Sequence, residues 1–294
     1  MSLALSPAIA ASPVVGRWDF TLPGTAALRA NWLGVTEKNG AYEVMHQPTG
    51  GHVRPVVSAK VNGNHLSLVI TEATSTAPAL VWELDAVDGK LTGIQKKGDQ
   101  TISLTGVRAP DLKRPMPKAW SKPKALFNGK DLTGWKPLPG GESRWVVKDG
   151  LLVNEDHGAN LVSNEKYNDF KLHFEVASPE HANSGFYLRG RYEIQIERGE
   201  PNEPPERAMG SIYGRIAPAA DAPKKGEFDV FDVTFVGRTI TLVRNGVTTI
   251  NAKEIEGITG GALDANEGDP GYFYIQGDHT GGLKFRNITV SVPQ

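Results

Sequence analysis

Short stretches of alternating hydrophobic and polar residues recur along the first hundred residues, and glycine-containing turns separate them. Asn-Gly and Asp-Gly pairs between such stretches favour two-residue hairpins, because both turn positions need a positive φ. These pairs are Asn39-Gly40, Asn62-Gly63 and Asp88-Gly89. The pattern predicts a small antiparallel β barrel or meander over residues 13–110.

A proline-rich segment follows this first β region. Residues 109–123 contain four prolines and several cations but no hydrophobic period. Such a composition is typical of an extended connection. We therefore predict a linker over residues 111–123.

Longer alternating stretches resume in the second half of the chain. Residues 170–176 alternate strictly, further hairpin turns are predicted at Asp149-Gly150 and Asn245-Gly246, and two strands are predicted on either side of Gly190. Residues 209–214 are interpreted as a short polar-aromatic strand. This spacing of strands and turns predicts a two-sheet sandwich or jelly roll over residues 124–294.

Composition agrees with an all-β protein and excludes several kinds of site. The 294 residues include 33 glycines and 20 prolines, which interrupt helices, and no cysteine. Disulfides and cysteine-ligated metals are therefore excluded. The net charge of −1 argues against nucleic acid as a partner, and no apolar stretch is long enough to predict a membrane span. No sequence motif predicts a cofactor.

The first twelve residues allow two interpretations. They are rich in alanine and serine and contain Ala8-Ile9-Ala10, which resembles a signal-peptide cleavage site. Residues 1–12 are thus either the remnant of an export signal or an ordinary disordered tail. The first interpretation predicts a periplasmic or secreted protein.

Candidate chemistry begins on the predicted strand 192–197. Because side chains alternate between the two faces of a strand, the hydrophobic residues of this strand face the core and its polar residues share the other face. The polar residues are Glu193, Gln195 and Glu197. This row is either a solvated surface or a substrate-binding face.

The spacing of the two glutamates limits their use as a glycosidase pair. Positions i and i+4 of a strand stand about 13 Å apart, whereas paired glycosidase carboxylates need about 5–9.5 Å. A β-bulge between Glu193 and Glu197 would bring them closer. Without a bulge, the strand carries one well-placed carboxylate, which suits proton abstraction better than double displacement.

Three other segments supply candidate binding or catalytic groups. The glycine-rich turn after residue 275 contains Gln276, Asp278 and His279, and a loop histidine is a plausible acid, base or metal ligand. Tyr213 offers an aromatic face to a sugar ring. The remaining substrate-binding candidates precede the glutamate strand and are His181 and Asn183. No histidine spacing predicts a zinc site.

Several motifs resemble one known family. The segment 126–135 (LFNGKDLTGW) looks like the opening motif of the 3-keto-disaccharide hydrolase family, long catalogued as a domain of unknown function. Its other motifs follow in the same order at residues 145–150, 183–196, 210–214 and 285–288. The resemblance covers roughly residues 124–293 and leaves the N-terminal region outside it.

This resemblance implies a concanavalin-like jelly roll, export from a bacterial cell, and cleavage of glycosides already oxidised at C3 of the sugar. The positions that fit the family's polar pocket are Arg189, Glu193, Gln195 and His279. A ketone at C3 acidifies the C2 hydrogen, so the glycosidic oxygen on C1 can leave by elimination. Water addition then completes a net hydrolysis.

The hypothesis assigns a role to each of these four groups. Glu193 or His279 is the base, and Arg189, aided by Gln195, holds the enolate oxygen. A bound divalent metal would also stabilise the enolate oxygen. The sequence leaves open the choice of base and the metal.

Three other functions are compatible with the sequence. The second hypothesis is a carbohydrate-binding module without catalysis, and the third is a conventional glycosidase that uses Glu193 and Glu197. The fourth makes the chain an interaction protein whose N-terminal domain contacts a partner. The sugar, its linkage, the oligomeric state and the role of the N-terminal domain are not determined by the sequence.

Overall fold

The computed structural model describes residues 12–23, 29–198 and 202–294 and consists of two antiparallel β domains. The predicted export-signal remnant lies almost wholly outside the described residues. No helix in the described part of the chain is long and apolar enough to cross a membrane. One turn of 3-10 helix covers Pro205–Arg207.

The N-terminal domain is a single nine-stranded sheet. Its strands are β1 (Gly16–Thr21), β2 (Ala30–Lys38), β3 (Ala41–Gln47), β4 (Arg54–Pro55), β5 (Ser58–Asn62), β6 (His65–Thr71), β7 (Leu80–Val87), β8 (Lys90–Lys97) and β9 (Gln100–Arg108). Their order in the sheet is β4-β3-β2-β1-β9-β8-β7-β6-β5.

This sheet closes on itself as a barrel. The first and last strands, β1 and β9, are hydrogen-bonded neighbours. At the other side the chain runs from β4 into β5, where the N–H of Val56 bonds to Val44 O and the N–H of Val57 bonds to Val69 O. Closure removes the free edges of the sheet. The interior is filled by large side chains such as Trp18.

The C-terminal domain contains thirteen strands. They are β10 (Lys124–Ala125), β11 (Trp135–Pro137), β12 (Trp145–Lys148), β13 (Leu151–Asn154), β14 (Leu161–Tyr167), β15 (Phe170–Ala177), β16 (Asn183–Leu188), β17 (Tyr192–Glu197), β18 (Asp229–Val236), β19 (Thr239–Arg244), β20 (Val247–Glu254), β21 (Gly271–Ile275) and β22 (Leu283–Ser291).

These strands form the two sheets of a jelly-roll sandwich. One sheet has the order β12-β13-β22-β15-β18-β19-β20, with β10 beside β22, and the other has the order β11-β14-β21-β16-β17. Aromatic rings join them across the core: Phe174 of β15 stacks on Phe186 of β16 at 4.4 Å, and on Phe231 of its own sheet at 4.7 Å. The all-β fold class predicted from the sequence is confirmed.

The predicted hairpins occur where the asparagine-glycine and aspartate-glycine pairs indicated them. Asn245 and Gly246, for example, have φ values of 51° and 80° between β19 and β20. The predicted strand 209–214 is wrong, since this segment makes only isolated bridges through Ile212. Gly210 and Gly214 both have positive φ there, which turns the chain instead of extending it.

The two domains share an apolar boundary. Trp32 of the barrel packs with Ile258 and Ala262 of the sandwich, and all three are buried. A Cβ placed on Gly257 would lie only 2.4 Å from Trp32 Nε1, so a glycine is needed for this approach. An ion pair between Arg17 and Glu254 (2.7 Å) adds to the boundary. The barrel is therefore packed against the sandwich.

Candidate active site

Three neighbouring strands of the five-stranded sheet form a grid of side chains on the face away from the core. Tyr187 of β16 lies between Glu193 of β17 and Tyr274 of β21 in the sheet register. Two residues along β16, Gly185 pairs with Gln195, so the next row of the grid has no side chain at its centre. Chain segments distant in sequence thus meet on one face.

The carboxylate of Glu193 lies over this central glycine. A Cβ on Gly185 would be 2.2 Å from Glu193 Oε1. Any residue other than glycine would therefore push the carboxylate out of this position. Glu193 is only 4% exposed, and its Oε2 accepts a hydrogen bond from the Tyr187 hydroxyl at 2.7 Å. Burial raises the pKa of Glu193 to about 7, although the bond from Tyr187 opposes the shift.

Tyr187 is a fixed, neutral hydrogen-bond donor. Its ring stacks on Tyr274 at 4.3 Å, and its hydroxyl also accepts a bond from Gln276 Nε2 at 3.1 Å. Burial and the nearby Glu193 carboxylate raise the pKa of Tyr187 well above its ordinary value. Tyr187 therefore remains protonated at neutral pH and orients the carboxylate.

A histidine and an aspartate lie at the other end of the grid. His279 Nδ1 is 2.8 Å from Asp278 Oδ1, and Asn160 Nδ2 donates to Asp278 Oδ2 at 3.0 Å. The hydrogen bond to Asp278 raises the pKa of His279. Burial opposes ionisation of Asp278, but the bonds from His279 and Asn160 hold its pKa below the ordinary value. This pair favours a protonated imidazole.

A cavity of about 250 Å³ lies over the grid. It is smaller than the roughly 300–1,000 Å³ of pockets for drug-sized ligands, so it suits a group the size of one sugar ring. Seven of the residues singled out in the sequence line it: Glu193, His279, Gln195, Asn183, Tyr213, Gln276 and Asp278.

Two amide oxygens at the cavity lack a protein partner. Oε1 of Gln195 and Oε1 of Gln276 are buried and accept no hydrogen bond from any described residue. Buried polar atoms are nearly always paired in folded proteins. These two oxygens are closed off from water, so the amide groups would have to turn before a ligand hydroxyl could reach them.

A family model described as the 3-keto-alpha-glucoside-1,2-lyase-like domain matches residues 122–291, which is more than half of the chain. The protein belongs to this family. The predicted resemblance to 3-keto-disaccharide hydrolases is confirmed.

Solved structures similar to this chain include two proteins from Parabacteroides distasonis ATCC 8503 that are described provisionally as glycosyl hydrolases. The first has 28% identity, covers 61% of this chain and 93% of its own, and gives a TM-score of 0.49. The second has 20% identity, covers 57% of this chain and 92% of its own, and gives a TM-score of 0.48. A search of curated protein sequences found no match.

Arg189, which the resemblance placed in the family's polar pocket, does not line the cavity. Its φ of 51° turns the chain after β16, and the guanidinium lies 5.4 Å from the Tyr192 ring and 5.3 Å from the Phe235 ring in the core. It donates to Asn168 Oδ1 and Glu267 O. The role predicted for Arg189 at the enolate therefore has to be withdrawn.

Two other candidates also lie outside the cavity lining. His181 is exposed in the turn before β16, has a φ of 60° and is absent from the cavity lining. Glu197 lies at the end of β17 and accepts a bond from Gln195 Nε2 at 2.6 Å. The structure does not bring either one to the cavity with Glu193.

The bulge that would pair Glu193 with Glu197 is absent. Strand β17 pairs with β16 from Tyr192 to Glu197 without a register shift. The two glutamates therefore keep the spacing of about 13 Å expected for i and i+4. The bulge that the conventional glycosidase hypothesis requires is thus not found in β17.

The sequence analysis missed seven residues of the lining. They are Tyr187, Tyr274, Gly260, Gly261, Thr49, Gly50 and Gly51. Tyr187 could have been predicted from the alternation of side chains along β16, since it shares a face with Asn183 and Gly185. Tyr274 could have been predicted in the same way, because it lies two residues before Gln276 at the end of β21. The other five depend on how loops and domains pack, which no local pattern reports.

No group of three or more histidine, aspartate or glutamate side chains within the described ranges is arranged to hold a metal ion. The divalent metal considered from the sequence stays a prediction.

Proposed function

We propose that this protein cleaves glycosides whose sugar ring carries a ketone at C3, and that Glu193 is the general base. The observation that carries the proposal is a buried carboxylate with its pKa raised to about 7 at a sugar-sized cavity. A general base is most effective when its pKa lies near the working pH. Membership of the family supports the same reaction.

The bond changes balance with one base and one acid. Glu193 takes the C2 proton, and the electron pair of the C2–H bond forms the enolate across C2, C3 and the C3 oxygen. When the C3 carbonyl re-forms, C1 and C2 become double-bonded and the bond from C1 to the glycosidic oxygen breaks. Addition of water at C1 and of a proton at C2 then makes the overall reaction a hydrolysis, and without that step it is a lyase reaction.

His279 is the proposed acid for the leaving oxygen. Its hydrogen bond to Asp278 favours the protonated imidazole, and Glu193 must be deprotonated at the same time. The rate should therefore rise with pH through about 7 and fall again as His279 loses its proton. This assigns the base, which the sequence left open, to Glu193.

The enolate oxygen needs donors other than Arg189. The cavity offers the Tyr213 hydroxyl and the Asn183 amide. Donors fixed before reaction at a developing oxyanion are often the largest catalytic contribution. The proton transfers involve no net redox change, and a metal at this oxygen stays a prediction.

We propose that the amide groups of Gln195 and Gln276, which line the cavity, turn toward a bound sugar and accept bonds from its hydroxyl groups. Leaving the amide oxygens unpaired costs about 1–3 kcal/mol each, so a hydroxylated ligand is favoured over an apolar one. This supports a carbohydrate as the partner. Export to the periplasm or medium remains a prediction of the sequence.

A panel of disaccharides with and without C3 oxidation tests the proposal. Mass spectrometry should show cleavage of the 3-keto forms and no cleavage of the parent sugars. Binding of the keto sugars without product would favour the carbohydrate-binding module instead. Cleavage of the parent sugars at similar rates would contradict the need for the ketone.

A further inference from the structure

One wall of the cavity comes from the barrel, which lies outside the matched family region. The loop between β3 and β4 brings Thr49, Gly50 and Gly51 to the cavity beside Gly260 and Gly261 of the sandwich. The Gly50 N–H donates to Gly260 O at 2.6 Å. The barrel therefore contributes directly to the shape of the site.

The contact between the barrel loop and the sandwich leaves no room for side chains at Gly260 and Gly261. A Cβ on Gly260 would lie 1.9 Å from Gly51 O, and a Cβ on Gly261 would lie 2.1 Å from the Tyr187 hydroxyl. The barrel loop thus reaches the Tyr187 end of the grid because Gly260 and Gly261 carry no side chains. It covers the end of the cavity next to the proposed base.

Buried polar groups of the barrel hold this loop in place. Gln47 Nε2 donates to Gly51 O at 3.2 Å, and Thr49 Oγ1 accepts from Asn31 Nδ2 at 2.7 Å. Asn31 Oδ1 in turn lies 3.0 Å from His46 Nε2. Burial lowers the pKa of His46 to about 4, so the cluster is uncharged at neutral pH. The loop is a fixed wall and not an open strand connection.

The opposite end of the grid reaches solvent. The side chains of Asp278 and His279 are 39% and 42% exposed. The proposed acid therefore lies at the exposed end, and the proposed base lies near the end that the barrel covers. A substrate oriented by these two groups has its leaving group toward solvent and the far edge of its keto ring toward the loop.

We propose that the barrel loop Thr49–Gly51 makes the enzyme specific for a keto sugar at the terminus of its glycoside. This inference rests on the proposed function. The wall accepts a ring whose C4 edge is unsubstituted and excludes a ring that carries a further sugar at O4. The leaving group is not restricted, because it extends from the exposed end.

Two substrates test the wall in the unmodified protein. One is a 3-keto disaccharide with the ketone in its terminal ring, and the other is the same compound with one more sugar at O4 of that ring. We expect a preference of roughly 100-fold or more in kcat/KM for the first, because the second must displace the loop.

A matched pair of glycine variants tests the loop itself. Gly51 and Gly40 have φ values of 67° and 77°, and a Cβ at either one meets no atom within 4 Å. Asparagine tolerates this conformation, so Gly51→Asn adds a side chain at the cavity and Gly40→Asn adds one at a distant hairpin. Gly51→Asn should lower kcat/KM on the terminal substrate by about 10-fold or more, and Gly40→Asn should leave it unchanged.

The outcomes separate the two proposals. Cleavage of both substrates at similar rates, with equal activity in the two variants, overturns the wall and leaves the proposed function standing. Failure of the unmodified protein to cleave either substrate overturns the proposed function and the wall with it. Gly50→Asn, with φ of 77° at the native glycine, is the second loop variant if Gly51→Asn does not fold.

Discussion

The cavity and the domain boundary each bury a glutamate, but in different electrostatic surroundings. At the boundary, Glu267 is fully buried and forms an ion pair with buried Arg238, which also lies 3.4 Å from Glu254. At the cavity, Glu193 forms no ion pair with any described residue and is bonded to the neutral Tyr187. A nearby cation compensates a buried carboxylate, whereas burial without one raises the pKa of Glu193 to about 7.

The largest expected effect is on catalysis at the unpaired carboxylate. Glu193→Gln keeps the size of the side chain but cannot accept the C2 proton. We expect kcat on a 3-keto disaccharide to fall by about 10²–10⁴. Glu175→Gln, which changes a carboxylate on the other sheet that bonds Arg286 at 2.7 Å, is the control and should keep its activity. A Glu193→Gln variant with normal turnover would remove this residue as the base.

The paired carboxylate should matter for stability and not for chemistry. Arg238→Met leaves Glu267 buried without its cation, and the free energy of unfolding in urea should fall by about 3–5 kcal/mol. Turnover well below the melting temperature should stay near that of the unmodified protein. Lys148→Met, at the exposed pair with Glu155, should cost under about 1 kcal/mol. Equal losses in both variants would contradict the comparison.

A smaller effect concerns the pH dependence of stability. The folded pKa of Glu193, about 7, lies above the ordinary value of 4.5, so the folded state holds this proton more tightly than the unfolded state. Glu193 should therefore destabilise the fold progressively as pH rises from about 4.5 to 7, by on the order of 3 kcal/mol. Glu193→Gln should remove this loss.

Unfolding of both proteins at pH 5 and pH 8 measures this difference. The variant should gain stability relative to the unmodified protein at pH 8 and not at pH 5. Subtracting the two curves also removes the contribution of Asp19, whose pKa burial raises to about 8. If the stabilities of the two proteins change equally with pH, burial does not raise the pKa of Glu193.

Local sequence patterns predicted much of this arrangement. Asn-Gly and Asp-Gly pairs located the hairpins, and alternation along residues 192–197 placed Glu193 and Gln195 on one face because strand geometry fixes that period. The rise along a strand, about 3.3 Å per residue, made Glu197 a distant partner of Glu193, and β17 has no bulge that would change this.

The predictions that failed concern positions that depend on tertiary structure. Arg189 belongs to a matching motif, but its left-handed backbone conformation turns it into the core. Thr49 and Gly261 are more than two hundred residues apart in sequence, and only packing of the barrel on the sandwich brings them to one cavity. No hydrophobic period encodes such a contact.

Transfer of the C2 hydrogen tests the central claim most directly. A 3-keto disaccharide that carries deuterium at C2 should lose this label in step with cleavage by the unmodified protein in ordinary water, faster than in a blank without protein. Glu193→Gln should slow label loss and cleavage together. Products that retain the C2 deuterium, together with equal cleavage rates for the deuterated and undeuterated substrates, would show that the glycosidic bond breaks without proton abstraction and would contradict the account.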